Sequence, residues 1–326
     1  MYEAFYGLRE RPFDLTPNPR FLLLTGRHRE ALSNLHYGLT SRRGLTLLVG
    51  EAGTGKTTLV RAAIEQFEKQ GARLAYLNNP TLTRDEFYEF VTAAFDLPPE
   101  AAQSKVRLLR ELESRLVEHR AAGRMTALII DEVQALPDEL LEEVRLLANL
   151  ETPSEKLLPI VLSGQPELAD RLNKPSLRQL KQRVALRCEL TALDARETAE
   201  YIAGRIRIAG GNSVLVFTRQ AVEKVYHGSG GIPRLISVIC DNSLISGFAA
   251  DRRPVDREIV ADVCRDFDLE TAGSAEIHAQ ARIEACRNAG VDFQVVRQNF
   301  RQEAVGISAG RNDERSIGER GFAVET

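Results

Sequence analysis

The residues best suited to chemistry lie in the segment GEAGTGKT, which runs from Gly50 to Thr57. Its spacing, G-x-x-x-x-G-K-T, is that of a phosphate-binding loop, and it directly follows an apolar run and precedes a helical pattern. Glycines let such a backbone wrap closely, so that its N–H groups point inward at phosphate. The segment therefore predicts a nucleotide-binding site, and the flanking elements argue against an ordinary glycine-rich turn with an incidental lysine.

Two side chains of this loop have separate expected tasks. Lys56 would reach the β- and γ-phosphates of the nucleotide, and the Thr57 hydroxyl would bind Mg²⁺. The helix that follows adds the positive end of its dipole at the same point.

A second candidate site is the pair Asp131 and Glu132, which ends the apolar run 127–130. In a phosphate-loop fold this strand is expected beside the first one, so that its carboxyl end meets the phosphates. Asp131 would then hold Mg²⁺, and Glu132 would polarise the attacking water as a general base. Two solvated acids at a strand end are the alternative. The second carboxylate favours hydrolysis over binding alone.

Transfer of a phosphoryl group also requires positive charge near the γ-phosphate. Arg234 ends the segment GGIPR and begins a predicted helix, because Pro233 suits a first helical turn. Arg183 lies just before the apolar run 184–190, and Arg178 lies slightly earlier. A surface ion pair is the alternative for Arg183.

The elements that would position these residues alternate along the chain. Apolar runs predict strands at 45–49, 74–77, 127–130, 158–162 and 184–190, and helical patterns lie between them, most plainly at 105–120. Short apolar strands alternating with helices predict an α/β fold with a parallel sheet.

Four regions follow from this pattern. Residues 1–43 form a proline-rich arm and a helix, residues 44–190 the α/β core, and residues 191–270 a helical region. Asp194, Thr218, Pro233 and Asp256 are the expected starts of four helices in this third region. In residues 271–326 the sequence pattern predicts one helix at 276–289 and a polar, flexible tail from residue 306.

The amino-acid composition argues against several classes of protein. The 326 residues carry 43 Lys and Arg against 46 Asp and Glu, for a net charge of −3, which argues against binding to nucleic acid through bulk positive charge. The four cysteines are far apart and indicate free thiols in a reducing cytoplasm. Neither a signal peptide nor an apolar run of membrane-spanning length is found.

Taken together, these motifs resemble the AAA+ ATPases over about residues 1–268. Within that group the sequence is similar to the ATPase family of general secretion pathway component A. This ATPase type is in turn similar to DNA-transposition ATPases, and relatives accompany exosortase and exopolysaccharide loci. The matching segments are Met1 to Phe5, Arg11-Pro12-Phe13, Pro17 to Phe21, Gly164 to Leu168 and Ser229 to Arg234.

The resemblance implies a role for individual residues. Gln165, or alternatively Ser163, would be the polar sensor after the fourth strand, although Gln165 also suits a cap before Pro166. Arg234 would be the sensor arginine of a helical lid, formed by residues 191–270. Arg183, with Arg178 as the weaker candidate, would be a finger that reaches the neighbouring subunit. The matching phosphate-loop residues are Gly50, Gly53, Thr54, Gly55, Lys56, Thr57 and Thr58.

The resemblance also implies a border for the adenine pocket around Phe13 and Leu15, with plain packing as the alternative for Phe13. The expected function is a cytoplasmic, Mg²⁺-dependent ATPase that binds ATP, forms a homo-oligomer and drives or switches a secretion or cell-envelope assembly. Longer secretion members carry a transmembrane helix after the ATPase. No such segment occurs here, so a partner would recruit the chain to the inner membrane.

Two other functions are compatible with the same motifs. The first is an ATP-dependent DNA-binding ATPase of the transposition-helper type, in which Arg42, Arg43 and the basic stretch 171–187 would form the contact surface. A solvated face is the alternative for these residues. The second is a regulatory nucleotide switch with slow hydrolysis, which the intact Glu132 disfavours.

Overall fold

A parallel β-sheet forms the centre of the molecule, in a computed structural model that describes residues 1–15, 19–21, 25–42, 44–78 and 80–269. Its five strands lie in the order β2-β3-β4-β1-β5. The strands are β1 (Leu45–Gly50), β2 (Arg73–Leu77), β3 (Thr126–Ile130), β4 (Ile160–Gly164) and β5 (Val184–Leu190).

Helices connect these strands and continue beyond the sheet. Those of the first part are α1 (Glu3–Tyr6), α2 (Gly26–Ser41), α3 (Lys56–Glu68), α4 (Arg84–Ala94), α5 (Lys105–Ala121), α6 (Asp138–Leu147), α7 (Pro166–Arg171) and α8 (Arg178–Lys181). Those that follow the last strand are α9 (Ala195–Ile208), α10 (Ser213–Val216), α11 (Arg219–Ser229), α12 (Pro233–Ala249) and α13 (Arg257–Asp266).

The predicted α/β fold with a parallel sheet is confirmed, and each strand begins within two residues of its expected position. The largest difference is at β4, which begins at Ile160 and not at Leu158. Pro159 has no N–H to donate to a ladder. Its carbonyl still accepts a hydrogen bond from the Leu128 N–H at 3.0 Å.

The expected order of the strands was wrong in one respect, because β3 does not lie beside β1. β4 lies between them and pairs with both, through Leu45 opposite Ile160 and Leu128 opposite Ile160. The sequence does not indicate the order of these strands in the sheet, because every strand buried on both faces has the same kind of short apolar pattern. The carboxyl ends of β1 and β3 are therefore two strand spacings apart, about 10 Å.

Alternating side chains of the sheet fill two separate cores. In β3, Leu128 and Ile130 face the core that α4, α5 and α6 cover. Ala127 and Ile129 face the opposite core, which α2 and α3 cover. This alternation is the two-residue period of a strand, and it gives three layers with the sheet in the middle.

The first residues of the chain pack into the helical lid, in a third core. Phe13 is 1% exposed, and its ring meets that of Phe217 edge to face, with centroids 6.3 Å apart. The Tyr2 hydroxyl donates to Asp241 on α12. Phe13 thus takes the packing alternative, whereas Leu15 is 55% exposed.

The four expected starts of lid helices are confirmed, three of them by side-chain caps and the fourth by a proline in the first turn. Asp194 accepts from the Glu197 N–H at 2.7 Å, and the Glu197 carboxylate accepts in return from the Asp194 N–H, which completes a capping box. Thr218 and Asp256 cap α11 and α13, and Pro233 occupies the first turn of α12. The short helix α10 was not predicted.

Several expectations fall on residues that the structure does not describe. The helix at 276–289, the tail from residue 306, Cys286 and Arg43 all lie outside the described residues. Within the described part, Cys188, Cys240 and Cys264 are buried and form no disulfide. In the same part, no helix combines the length and the apolar character that crossing a bilayer requires.

Gly231 fixes the turn that leads into α12. Its backbone has φ +75°, and a Cβ there would lie 1.9 Å from the Leu193 carbonyl oxygen. The Leu193 N–H also donates to the Gly231 carbonyl at 2.9 Å. Only glycine permits both the left-handed backbone and this close approach of two main chains.

We expect Gly231→Ala to destabilise the protein more than Gly71→Ala, a matched control with φ +79° and open space around its Cβ position. Both substitutions carry the left-handed backbone penalty of about 1–2 kcal/mol. Gly231→Ala adds a main-chain clash, worth a further ~1–3 kcal/mol. Urea unfolding of the two variants measures the difference, and equal losses would contradict the tight contact with Leu193.

Candidate nucleotide-binding site

The phosphate loop begins at Gly50, the last residue of β1, and ends in the first turn of α3. Gly53 and Gly55 have φ +82° and +99°, conformations that residues with a Cβ rarely adopt. The helix expected after the loop begins at Lys56, inside the phosphate-loop motif. The free N–H groups of that first turn therefore belong to the loop itself.

The loop is packed too closely to carry side chains at two of its glycines. A Cβ on Gly50 would lie 2.6 Å from the Leu190 carbonyl oxygen at the end of β5. A Cβ on Gly53 would lie 2.8 Å from the Cβ of Arg234. Strand β5 thus packs against the start of the loop, and the lid packs against Gly53.

The ammonium group of Lys56 lies inside the curve of the loop. It donates to the carbonyl oxygens of Gly50 at 2.7 Å and Glu51 at 2.9 Å, and the residue is 4% exposed. Burial lowers its pKa below the ordinary lysine value, whereas the negative charges of Glu132 and Asp131 oppose this shift. The arrangement is a buried cation among acceptors, with two carboxylates nearby.

The side chains of Thr57 and Asp131 meet across the carboxyl edge of the sheet. The Thr57 hydroxyl donates to Asp131 Oδ2 at 2.7 Å, and Asp131 is 1% exposed. The Tyr76 hydroxyl from β2 also contacts Asp131 Oδ2, at 3.4 Å, and burial followed by the charge of Asp131 raises the pKa of Tyr76. Hard oxygen donors of this kind suit a divalent cation such as Mg²⁺.

Glu132 is half-buried beside this pair in a left-handed backbone conformation, with φ +53°. Its N–H donates to Asp131 Oδ1 at 3.0 Å. Its carboxylate accepts a hydrogen bond from the Gln134 side chain. The two acids predicted to act together are therefore adjacent, but their carboxylates accept from different side chains. Asp131 accepts from Thr57, and Glu132 accepts from Gln134.

The two sensor candidates lie at the end of β4. Gln165 directly follows the strand as the residue before α7, and its side chain makes no cap hydrogen bond, so the capping alternative finds no support. Ser163 is fully buried, and its hydroxyl has no hydrogen-bond partner among the described residues.

The lid touches the phosphate loop through the first turn of α12. The Arg234 N–H donates to the Gly53 carbonyl at 3.2 Å, and the Arg234 side chain is exposed. Arg183 lies at the other edge of the sheet, where its carbonyl accepts from the Leu45 N–H at 3.2 Å, at the amino end of β1. Arg183 is thus separated from the phosphate loop of its own chain by the length of a strand.

Three residues near the site were missed from the sequence: His28, Tyr76 and Gln134. His28 is 5% exposed, its Nε2 lies 3.3 Å from the Thr54 carbonyl, and its Nδ1 lies 2.8 Å from the Thr25 hydroxyl. A carbonyl only accepts, so Nε2 carries the proton and Nδ1 accepts from Thr25. Lone polar residues beside apolar runs are a faint signal, and no spacing rule singles them out.

Comparison with known proteins agrees with this geometry. Residues 39–172 match the AAA domain family. General secretion pathway protein A from Aeromonas hydrophila is 42% identical over 249 residues, which cover 76% of this chain and 45% of that protein. The matched region is thus less than half of the relative's length.

Solved structures show the same fold. The ORC2 protein of Aeropyrum pernix, in ADPNP–ADP complexes, matches with a TM-score of 0.59 and 16% identity, over 96% of this chain and 86% of that one. Cdc6p of Pyrobaculum aerophilum matches with a TM-score of 0.57 and 17% identity, over 75% and 67%. The predicted AAA+ phosphate-loop fold and the relationship to general secretion pathway protein A are confirmed.

We expect His28 to make stability depend on pH. Burial lowers its pKa below the ordinary value, so the unfolded chain takes up a proton where the folded chain resists it. The free energy of unfolding should therefore fall as the pH decreases through about 6.5. Urea unfolding between about pH 7.5 and 5.5 should show a smaller loss for His28→Gln than for the wild type. An equal loss would contradict the buried, neutral imidazole.

Proposed function

Because the chain carries an AAA domain and is related to general secretion pathway protein A, we propose that it binds and hydrolyses ATP. The observation that carries the proposal is the placement of Lys56, Thr57, Asp131 and Glu132 at one end of the parallel sheet. The Thr57 hydroxyl donates to Asp131, and the negative charges of Glu132 and Asp131 act on Lys56. A phosphate loop alone would suit many nucleotide-binding proteins, whereas an added Asp-Glu pair suits hydrolysis.

The residues fit the Mg²⁺ that such a reaction uses. Thr57 Oγ1 and Asp131 Oδ2 are hard oxygen ligands only 2.7 Å apart, and a glycine-rich loop of this kind can direct its backbone N–H groups at phosphate. Thr57 would hold the ion and Asp131 would anchor it, directly or through water. When bound, the ion supplies positive charge that offsets the charge of the phosphates.

The chain's own groups then have distinct tasks in the proposed reaction. Glu132 accepts a proton from the attacking water, as a general base. Lys56 turns its ammonium from the loop carbonyls toward the β- and γ-phosphates, and Arg234 offers a second positive charge from the lid. Thr54 and Thr58 complete the loop around the phosphates, and Gln165 contacts the γ-phosphate or the water.

We propose further that the lid reports the state of the nucleotide. Arg234 follows Pro233 at the start of α12, and its backbone is hydrogen-bonded to Gly53. A change at the γ-phosphate would thus act on the first turn of a 17-residue helix. Such a lid movement is the type of signal that a partner protein can detect.

The proposed process is the driving or switching of a secretion or cell-envelope assembly, since the relative is a general secretion pathway protein. We propose a cytoplasmic location and a homo-oligomer, recruited to the inner membrane by a partner. Arg183, or else Arg178, would complete the site of the neighbouring subunit. The separation of Arg183 from its own phosphate loop suits action on a neighbour.

A second candidate is an ATP-dependent DNA-binding ATPase. The observation that favours it is an open groove beside Leu172 and Pro175, lined by Arg178 and Lys181. Among the described residues, Lys174 and Arg178 form no ion pair, so their charges are available to an anionic partner. The net charge of −3 weighs against this candidate.

We expect wild-type protein to hydrolyse ATP in a Mg²⁺-dependent manner. Glu132→Gln should lower kcat by at least about 100-fold while ATP still binds, because only the general base is lost. Lys56→Ala should weaken ATP binding itself. Glu113→Gln, at an exposed position on α5, is the matched control and should retain full turnover.

The same assay separates the candidate functions when it is run across protein concentration and with duplex DNA. Turnover that rises with concentration supports a site shared between subunits, and indifference to DNA supports the secretion candidate. Stimulation by DNA would instead support the second candidate. Absence of turnover under all these conditions would contradict the hydrolysis proposal and leave a nucleotide switch.

A further inference from the structure

We propose that Gln134 is a positioning residue that holds the Glu132 carboxylate and ties its orientation to the start of α7. The proposal rests on the proposed function, because Glu132 is a general base only if the chain hydrolyses ATP. Gln134 lies two residues after Glu132, in a single turn of 3₁₀-helix, Val133–Ala135.

The orientation of the Gln134 amide follows from its two partners. The backbone N–H of Gln165 lies 3.1 Å from Oε1, and since an N–H only donates, the atom that receives it is the oxygen. The remaining atom is Nε2, which donates to Glu132 Oε2. One side-chain amide thus bridges the proposed base and the residue that directly precedes α7.

Gly164, the last residue of β4, makes room for this bridge. A Cβ on Gly164 would lie 2.9 Å from Gln134 Oε1 and 2.8 Å from Leu168 Cδ2. The amide therefore sits against bare main chain, and any larger residue at position 164 would displace it. This close approach holds the Gln134 amide against the residues that directly precede α7.

A second contact fixes the backbone of Gln134 to the other end of the same helix. Arg171 Nη1, on the last residue of α7, donates to the Gln134 carbonyl at 2.8 Å. The same guanidinium pairs with Asp138 at the start of α6. Gln134 is consequently held from both ends of α7, by its side chain at Gln165 and by its carbonyl at Arg171.

The backbone of Glu132 leaves little freedom to its side chain apart from this contact. Its left-handed conformation is closed by a hydrogen bond from the Ala135 N–H to the Glu132 carbonyl, at 2.9 Å. The carboxylate direction then depends on side-chain rotation, which the Gln134 donor restrains. A shift of α7 would pass through Gln134 and reorient the base.

Two substitutions separate the effects of the two hydrogen bonds made by the Gln134 amide. Gln134→Glu has the same shape and retains an acceptor for the Gln165 N–H, but it replaces the donor to Glu132 by a repelling oxygen. Gln134→Met loses both hydrogen bonds. Gln103→Glu, at an exposed position, is the control for the added charge.

We expect Gln134→Glu and Gln134→Met each to lower kcat by at least about tenfold, because a misdirected base loses its alignment with the attacking water. ATP binding, measured by calorimetry, should remain within about twofold of wild type. A merely structural role would weaken binding and turnover together. Turnover at the wild-type level in Gln134→Glu would overturn the proposal.

Hydrogen exchange of the full chain tests the bridge without relying on turnover. We expect faster deuterium uptake in peptides that cover residues 164–171 for Gln134→Met and for Glu132→Ala. Gln134→Glu should show an increase no larger than that of Glu132→Ala, because it also loses the contact to Glu132 but keeps the acceptor for the Gln165 N–H. Unchanged uptake in the first two variants would overturn the proposal. If the wild type hydrolyses no ATP, the proposed function fails, and the exchange result still decides whether Gln134 links Glu132 to α7.

Discussion

The contact between the phosphate loop and the first turn of α12 is the constraint on which the rest of the site depends. The Arg234 N–H bonds to the Gly53 carbonyl, and a Cβ on Gly53 would collide with Arg234. Gly231 sets the entry to that turn by packing against the Leu193 main chain. Because neither Gly53 nor Gly231 leaves room for a side chain, the first turn of α12 packs directly against the main chain of the phosphate loop.

The parallel sheet positions the phosphate loop relative to Asp131 and Glu132. Parallel strands bring their carboxyl ends to a single edge, so the phosphate loop after β1 and the acids after β3 face the same space. β4 separates the two strands, and the hydrogen bond from Thr57 to Asp131 spans that gap. Threonine and aspartate have short side chains, so the main chain must bring them together, with Thr57 in the first turn of α3 and Asp131 directly after β3.

Local signals in the sequence were sufficient for much of this fold. The phosphate loop was predictable because its glycines and lysine have a fixed spacing, and the lid helices because Asp194, Thr218 and Asp256 cap them through contacts within three residues. Non-local features were not predictable. The position of β4 between β1 and β3 depends on packing that no single strand encodes.

The residues around the site show the same limit. Phe13 belongs to the lid core because Phe217, about two hundred residues later, packs against it. Gln134 gains its position from a backbone N–H at Gln165 and from the space above Gly164. His28 meets the loop only because α2 covers that face of the sheet. Each of these contacts joins distant parts of the chain, so the sequence contains no spacing that reveals them.

The most direct test of the central claim, that a nucleotide binds between the phosphate loop and the lid, is calorimetric affinity for ATP and ADP. It compares wild type with Arg234→Ala in the presence of Mg²⁺. The account predicts that the wild type binds both nucleotides and that the variant loses affinity for ATP much more than for ADP, because Arg234 acts at the γ-phosphate. Equal affinities of variant and wild type for ATP would contradict it.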